Sequence, residues 1–469
     1  MGETITMNPN ARKTSATPLI GAILMAGAWS PAQGAGFALI EQSASGLGNA
    51  YAGAGASAED ASTVFFNPAG LTRLEGRQLV VAGHIVRPST EFSGSATDAL
   101  GNPVATGGDG GDAGGAALVP NLYYAMPLRE DLVFGVGINA PFGLATEYDD
   151  DWVGRYHGIK SEVTTININP SLAWQATPKL SLGAGVSAQY IEAELTQAID
   201  QGSSCYGGVI QASLAGGASQ AAALAAAQAT CDPLGLTPQG ADALAEVKGD
   251  DWSFGFNLGL LYEVQPGTRI GLAYRSKVEQ ELEGEAGFTN AHPFFTGQDL
   301  FVPTDVNAGV DLPESVSLSL SHELNDRWTL LADYTWTRWE RFEELRIEFD
   351  SSQPDSVTPE NWSNSDRYSL GVNYRHSSSL TLRAGVAFDE EPIPDAQTRT
   401  PRIPGNDRRW LAVGASYSPS QAMRVDVGYA HLFVKDTDID HTSSTAGTIT
   451  GEYDSSVDIL SAQLVWNFQ

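Results

Sequence analysis

Residues 252–264 read WSFGFNLGLLYEV, and this stretch decides the fold. Trp252, Phe254, Phe256, Leu258, Leu260, Tyr262 and Val264 occupy alternate positions, with Ser253, Gly255, Asn257, Gly259, Leu261 and Glu263 between them. A period of two sends successive side chains to opposite faces of an extended strand. One face is therefore aromatic and aliphatic, and the other is mostly small and polar. A soluble sandwich also alternates. Aromatic residues at both ends of the apolar face, opposite a polar interior, are the mark of a strand in a lipid-facing barrel.

The pattern extends in both directions. Ile166, Ile168, Leu172 and Trp174 alternate with Asn167, Asn169, Ser171 and Gln175, and Val316, Leu318 and Leu320 alternate with four serines. Fourteen segments read this way: 78–93, 118–126, 131–146, 160–176, 179–195, 252–264, 268–283, 314–323, 327–345, 366–376, 380–390, 409–418, 423–436 and 456–468. The count is even, as a closed antiparallel bacterial barrel requires. Gaps of a few residues, such as Thr177-Pro178 and Ser377 to Ser379, alternate with long ones, including 196–251 and 284–313. Short periplasmic turns and long extracellular loops have this arrangement, and a sandwich has no reason to obey it. The chain closes with Leu460, Ala462, Leu464, Trp466 and Phe468 on one face, a final strand of the kind the outer-membrane assembly machinery reads, with Gln469 after it. The predicted class is all-β: a 14-stranded antiparallel transmembrane β-barrel over 78–469, with a helical or irregular N-terminal hatch in its lumen.

No apolar run reaches the ~18–20 residues of a membrane helix. The N-terminus instead carries the parts of an export signal: Arg12 and Lys13, an apolar stretch from Pro18 to Trp29, and the small-residue site Ala32-Gln33-Gly34. A signal peptide over 1–34 is predicted, with the mature chain starting near Ala35. Its removal leaves 24 basic and 55 acidic side chains. Nucleic acid is excluded as a partner by that balance. Outer-membrane lipid and lipopolysaccharide are the expected surroundings.

The two cysteines, Cys205 and Cys231, fall in one long loop. In an oxidising compartment a disulfide between them would stabilise the loop by roughly 3 kcal/mol, two free thiols being the alternative. Enzyme signatures such as GxSxG, HExxH and the Walker loop are missing, so no enzyme and no cofactor are predicted. The acidic runs at 107–112 and Asp149 to Asp151 fit no standard calcium loop, and no metal site is assigned to them.

Residues 35–77 are rich in Gly, Ala and Ser and show no strand alternation, which suits a compact plug better than a linker. Here the chain resembles the FadL-type long-chain fatty acid transporters of the outer membrane. The resemblance rests on Ala35-Gly36-Phe37, Ser45 to Gly48 with Ala50-Tyr51, Ala58 to Ala61, and Asn67-Pro68-Ala69. It continues through Gly143 to Glu147, Leu272 to Ser276, Phe388-Asp389, and Ile403-Pro404 with Asp407, Arg408 and Trp410. It implies a hatch carrying the Asn67, Pro68, Ala69 motif. It also implies passive uptake of a long-chain fatty acid: capture outside, binding in a lumen pocket, and sideways release into the membrane. Uptake of alkanes or monoaromatic hydrocarbons by the same route is the alternative.

Three groups of residues answer to those steps. Pro141, Phe142 and Gly143 interrupt the third strand segment, since proline cannot donate to the ladder and glycine permits a bend. They mark either a lateral opening or the strand's ordinary end. Ile210, Leu214 and Leu224 in one long loop, with Phe294, Phe295, Leu300 and Phe301 in the other, are candidates for external capture, or else for packing of the loops on each other. A carboxylate needs a cation among apolar walls. Of Arg275, Arg346, Arg383 and Arg408, the family-like settings favour Arg346 and Arg408. Leaving water yields ~0.8 kcal/mol per methylene, so no energy source is required.

Overall fold

The computed structural model describes residues 36–468; the expected signal peptide and the mature start at Ala35 lie outside them. Among the described residues, twenty strand segments form one closed antiparallel barrel of fourteen spanning strands. The first strand, Arg77–Thr97, pairs along its whole length with the last, Gly447–Phe468, from Arg77 opposite Phe468 to Thr97 opposite Thr448. That pairing leaves the sheet no edge. Among the described residues no helix is long and apolar enough to cross a membrane.

The opening stretch belongs to the sixth strand, Asp242–Gln265. Phe254 is 76% exposed and Trp252 50%, whereas Leu261 and Asn257 are buried. Large apolar side chains on the outside and a filled inside fit a wall surrounded by lipid, where every backbone group must be paired within the sheet.

Several strands run beyond their expected ends. The fifth, Leu180–Asp200, and the sixth pair from Leu180 opposite Tyr262 to Asp200 opposite Asp242, which shortens the loop expected at 196–251. Thr304–Leu312, expected within a loop, pairs with Val278–Thr289. These outer segments carry Glu279, Glu281 and Glu283, already within the expected segment 268–283, at exposed positions alternating with buried Gln280 and Leu282. They alternate charged with inward residues because their outer face meets water, and so lack the aromatic signal of the lipid-facing parts.

The hatch folds inside this wall as three one-turn helices, Ala44–Leu47, Ala54–Ser57 and Thr63–Phe66, and a 3-10 helix, Pro68–Arg73. Ser43 caps the first by accepting from Gly46 N–H at 3.1 Å. Asn67 caps the last by accepting from Ala69 N–H at 3.1 Å, and Pro68 sits where no N–H is needed. The small inner face of the barrel lets this chain approach closely. A Cβ on Gly259 would lie 2.0 Å from Asn67 Oδ1, and one on Gly271 2.0 Å from the Gly55 carbonyl oxygen.

Candidate functional site

Between hatch and wall lies a cavity of about 150 Å³. Leu39, Ile40, Phe65 and Phe66 of the hatch face Tyr274, Trp339 and Trp410 of the barrel across it, and Pro141 and Phe142 form part of its boundary. Two guanidinium groups enter these apolar walls. Arg275 donates to the Phe65 carbonyl at 2.9 Å, with its guanidinium 4.2 Å from the centre of the Phe65 ring. Arg367 donates to the Ala50 carbonyl at 3.0 Å and lies 5.0 Å from the Trp410 ring. Asp333 and Asp389 also line the cavity, yet among the described residues neither arginine forms a salt bridge. Arg367 Nε is buried without a partner. The cavity is thus a largely apolar chamber holding two guanidinium groups that form no direct salt bridge among the described residues.

The hydrogen-bonded ladder of the wall is interrupted beside it. The third strand, Leu132–Asn139, pairs with both neighbours, the last contact to the second strand being Ile138 opposite Leu122. It resumes as Gly143–Glu147, which pairs only with the fourth strand, Lys160–Thr177. Ala117 to Asn121 of the second strand therefore have no partner from the third strand. The hatch fills the gap from inside. Leu39 N–H donates to the Pro141 carbonyl at 2.8 Å, and Gly143 N–H to the Phe37 carbonyl at 2.9 Å. Gln42 Nε2 donates to the Ala140 carbonyl at 2.8 Å. Proline explains the position of the break: it cannot donate, so its neighbours bond to whatever else is in reach. The hydroxyl of Thr165 completes the local set, bridging the N–H and carbonyl of Phe142 at 3.1 and 2.6 Å.

Phe37 locks this end of the hatch into an aromatic box. Its ring centre lies 4.9 Å from that of Trp339 and 5.9 Å from those of Phe142, Phe342 and Trp362. Glu360 is buried beside the box and accepts from Trp362 Nε1 at 2.9 Å. Burial pushes the Glu360 carboxyl up from 4.5 to about 8, against the opposing pull of the Trp362 bond and Arg402. Between those values the folded chain holds a proton that the unfolded chain has lost, so this contribution to stability falls as pH rises through the window. Hydrogen exchange of residues 339–362 should accordingly speed up from pH 5 to pH 8 beyond its intrinsic pH dependence. Glu360→Gln should remove that excess, and an unchanged excess in the variant would refute the assignment.

At its other end the hatch is held by charge. Glu59 takes both amino groups of Arg383 at 2.8 and 2.6 Å. Asp60 pairs with Arg424 at 2.6 Å, and Arg424 also reaches Asp426 at 3.0 Å. Asn67 binds the wall by donating from one amide nitrogen to the carbonyls of Gly55 at 2.7 Å and Leu260 at 3.0 Å. Pro68 and Ala69 follow it into the 3-10 helix, and both are buried.

Neither of the two residues favoured for carboxylate binding borders this chamber. Arg346 lies on the outer segment Glu344–Phe349, 40% exposed, paired with Glu344 at 2.8 Å and Asp355 at 3.1 Å. It does not border the cavity, because the spanning strand ends at Thr337 and the 3-10 turn Trp339–Arg341 separates it from the outer segment that carries Arg346. Arg408 is buried, but its neighbour is Glu391 at 3.3 Å, and it too is absent from the cavity wall. Arg383 is occupied by Glu59. Of the four arginines considered, Arg275 alone lines the chamber, together with Arg367, which the sequence reading passed over.

In the outer loops, Cys205 and Cys231 form a disulfide joining the helices Gln201–Ala215 and Gln220–Cys231. Ile210, Phe294, Phe295, Leu300 and Phe301 gather with the cystine in one apolar cluster, Phe295 and Phe301 being 5.0 Å apart. Leu214 and Leu224 stand outside it, each 45% exposed. The two loops therefore pack on each other.

A family profile described as outer membrane protein transport protein (OMPP1/FadL/TodX) matches residues 24–468. The chain is 31% identical over 428 residues to the long-chain fatty acid transport protein of Escherichia coli K12, covering 89% of this chain and 91% of that one. It is 32% identical over 413 residues to outer membrane protein P1 of Haemophilus influenzae, covering 86% of each. A crystal structure of a Pseudomonas aeruginosa FadL homologue superposes with a TM-score of 0.81 at 25% identity, over 93% of this chain and all of that one. The Ralstonia pickettii toluene transporter TbuX shares the fold, with a TM-score of 0.61 at 21% identity over 90% of this chain and 99% of that one.

Proposed function

The chain belongs to the outer membrane protein transport family OMPP1/FadL/TodX, and from that premise we propose that the hydrophobic cargo it carries is a long-chain fatty acid. One observation carries the choice: Arg275 and Arg367 stand in a largely apolar chamber and form no direct salt bridge among the described residues, with Asp333 and Asp389 as the carboxylates on its wall. A cation held away from water is costly unless it is paired, and a cargo carboxylate supplies the pair while its chain meets the aromatic walls. The relative from Escherichia coli, named for long-chain fatty acid transport, agrees with this reading.

The same geometry supports a route. Cargo lands on the loop surface around the exposed Leu214 and Leu224, and moves into the chamber. It leaves through the break at Pro141 to Gly143 when the hatch segment Phe37 to Leu39 withdraws. Transfer is downhill and passive, since each methylene leaving water contributes ~0.8 kcal/mol.

Binding of oleate against methyl oleate tests the cargo. Charge-assisted hydrogen bonds are worth about 1.5–3 kcal/mol. Arg275→Gln with Arg367→Gln should therefore weaken oleate binding about 10- to 100-fold and change methyl oleate binding less than about threefold. Equal affinity of the natural protein for acid and ester would remove the carboxylate argument and favour alkanes or monoaromatic hydrocarbons.

A further inference from the structure

A second cavity, of about 340 Å³, lies on the opposite side of the hatch, at the short-turn end of the barrel. Five arginines line it: Arg269, Arg327, Arg375, Arg383 and Arg424. The whole chain has 26 basic side chains against 56 acidic ones, so this concentration runs against its composition. Three carboxylates share the cavity, Glu59, Glu323 and Asp326, and the rest of the lining is hydroxyls and amides apart from Leu331.

The arginines divide into two sets. Arg383 and Arg424 are committed to the hatch acids Glu59 and Asp60. Arg269, Arg327 and Arg375 have no salt bridge and no side-chain hydrogen bond among the described residues. Guanidinium groups that line one cavity repel one another, with Arg269 half-buried in it and Arg327 and Arg375 exposed at its rim. The bidentate clasp of Glu59 by Arg383 shows that the recess accepts an oxyanion in fork geometry. Its walls offer nothing to an alkyl chain.

We propose that this periplasmic vestibule is an oxyanion-binding site, in which Arg269, Arg327 and Arg375 take a carboxylate or phosphate group. The assignment does not depend on what the upper chamber carries. The oxyanion has two sources: a small free anion of the periplasm, or the head group of a cargo that has passed the hatch.

Equilibrium dialysis of the full chain in detergent micelles tests the site, with labelled inorganic phosphate and labelled butyrate as probes. Saturable binding of at least one probe is expected, with a loss of at least tenfold in the Arg269→Gln, Arg327→Gln, Arg375→Gln variant. Oleate binding by that variant should stay within twofold of the natural protein, which shows that its fold and upper chamber are intact. Displacement of phosphate by oleate identifies the cargo head group as a ligand of the site, and retention of phosphate identifies a free anion. If the triple variant does not fold, Arg375→Gln alone, at the exposed rim, should weaken probe binding at least threefold. Absence of saturable binding of either probe, or equal binding by the natural protein and the variants, overturns the proposal.

Discussion

Asn67→Ala should turn the plugged barrel into a leaky one. The Asn67 amide contributes three hydrogen bonds, two of them buried, to the Gly55 carbonyl and from the N–H of Ala69, and one part-buried, to the Leu260 carbonyl. Alanine leaves those backbone groups without partners where water cannot replace the amide. Each such loss costs about 1–3 kcal/mol, and for three coupled bonds about 3–5 kcal/mol is a reasonable total. The barrel itself should survive, because its ladder closes through Arg77–Thr97 and Gly447–Phe468 without help from the hatch. The loss should therefore appear as hatch release. Planar-bilayer recordings should show ion-conducting events at least about tenfold more frequent than in the natural protein, by the factor of ten that each ~1.4 kcal/mol represents. Conductance at the natural level, with unchanged protease protection of the hatch, would mean that Asn67 does not hold it.

The barrel was legible from alternation because lipid imposes it. Phe254 and Trp252 must face outward, and the small polar residues between them must face in. The hatch was legible as a compact plug from its lack of alternation and its small residues, but its anchors were not. Glu59 and Asp60 read only as family-like letters; their partners Arg383 and Arg424 lie more than 300 residues away. Arg367 was missed for a similar reason. It alternates with the exposed Tyr368 and Leu370, so its inward direction could be read from the strand period, but nothing local says that the hatch stops short of it. Arg346 lies away from the chamber because the segment expected at 327–345 is broken after Thr337 by the turn Trp339–Arg341, which no period in the sequence announces. The aromatic box around Phe37 joins four separate stretches, and only the closed barrel brings them together.

The break at Pro141 matters to the mechanism only if the hatch segment in front of it must move. Ala38 and Phe142 face each other there as an antiparallel bridge. The flanking bonds, Leu39 N–H to Pro141 and Gly143 N–H to Phe37, make them a non-hydrogen-bonded pair. Such pairs place Cα atoms about 4.5 Å apart, within the range of a disulfide. Ala38→Cys with Phe142→Cys should therefore close a covalent bolt across the gap. A bolted hatch cannot withdraw, so the expected effect is complete and reversible, unlike that of a substitution that merely weakens a contact. The two single variants control for the lost side chains, Phe142 being part of the aromatic box. The natural protein under the same reductant controls for opening of the Cys205–Cys231 bond.

Labelled oleate uptake by cells carrying the double-cysteine protein is the decisive measurement. Lateral release predicts uptake at least about twentyfold below that of either single variant under oxidising conditions, recovering when reductant opens the bolt, an effect of ~1.8 kcal/mol or more. Uptake that stays at the level of the single variants with the disulfide shown to be formed would contradict it, because cargo would then be leaving by a path that does not pass Pro141.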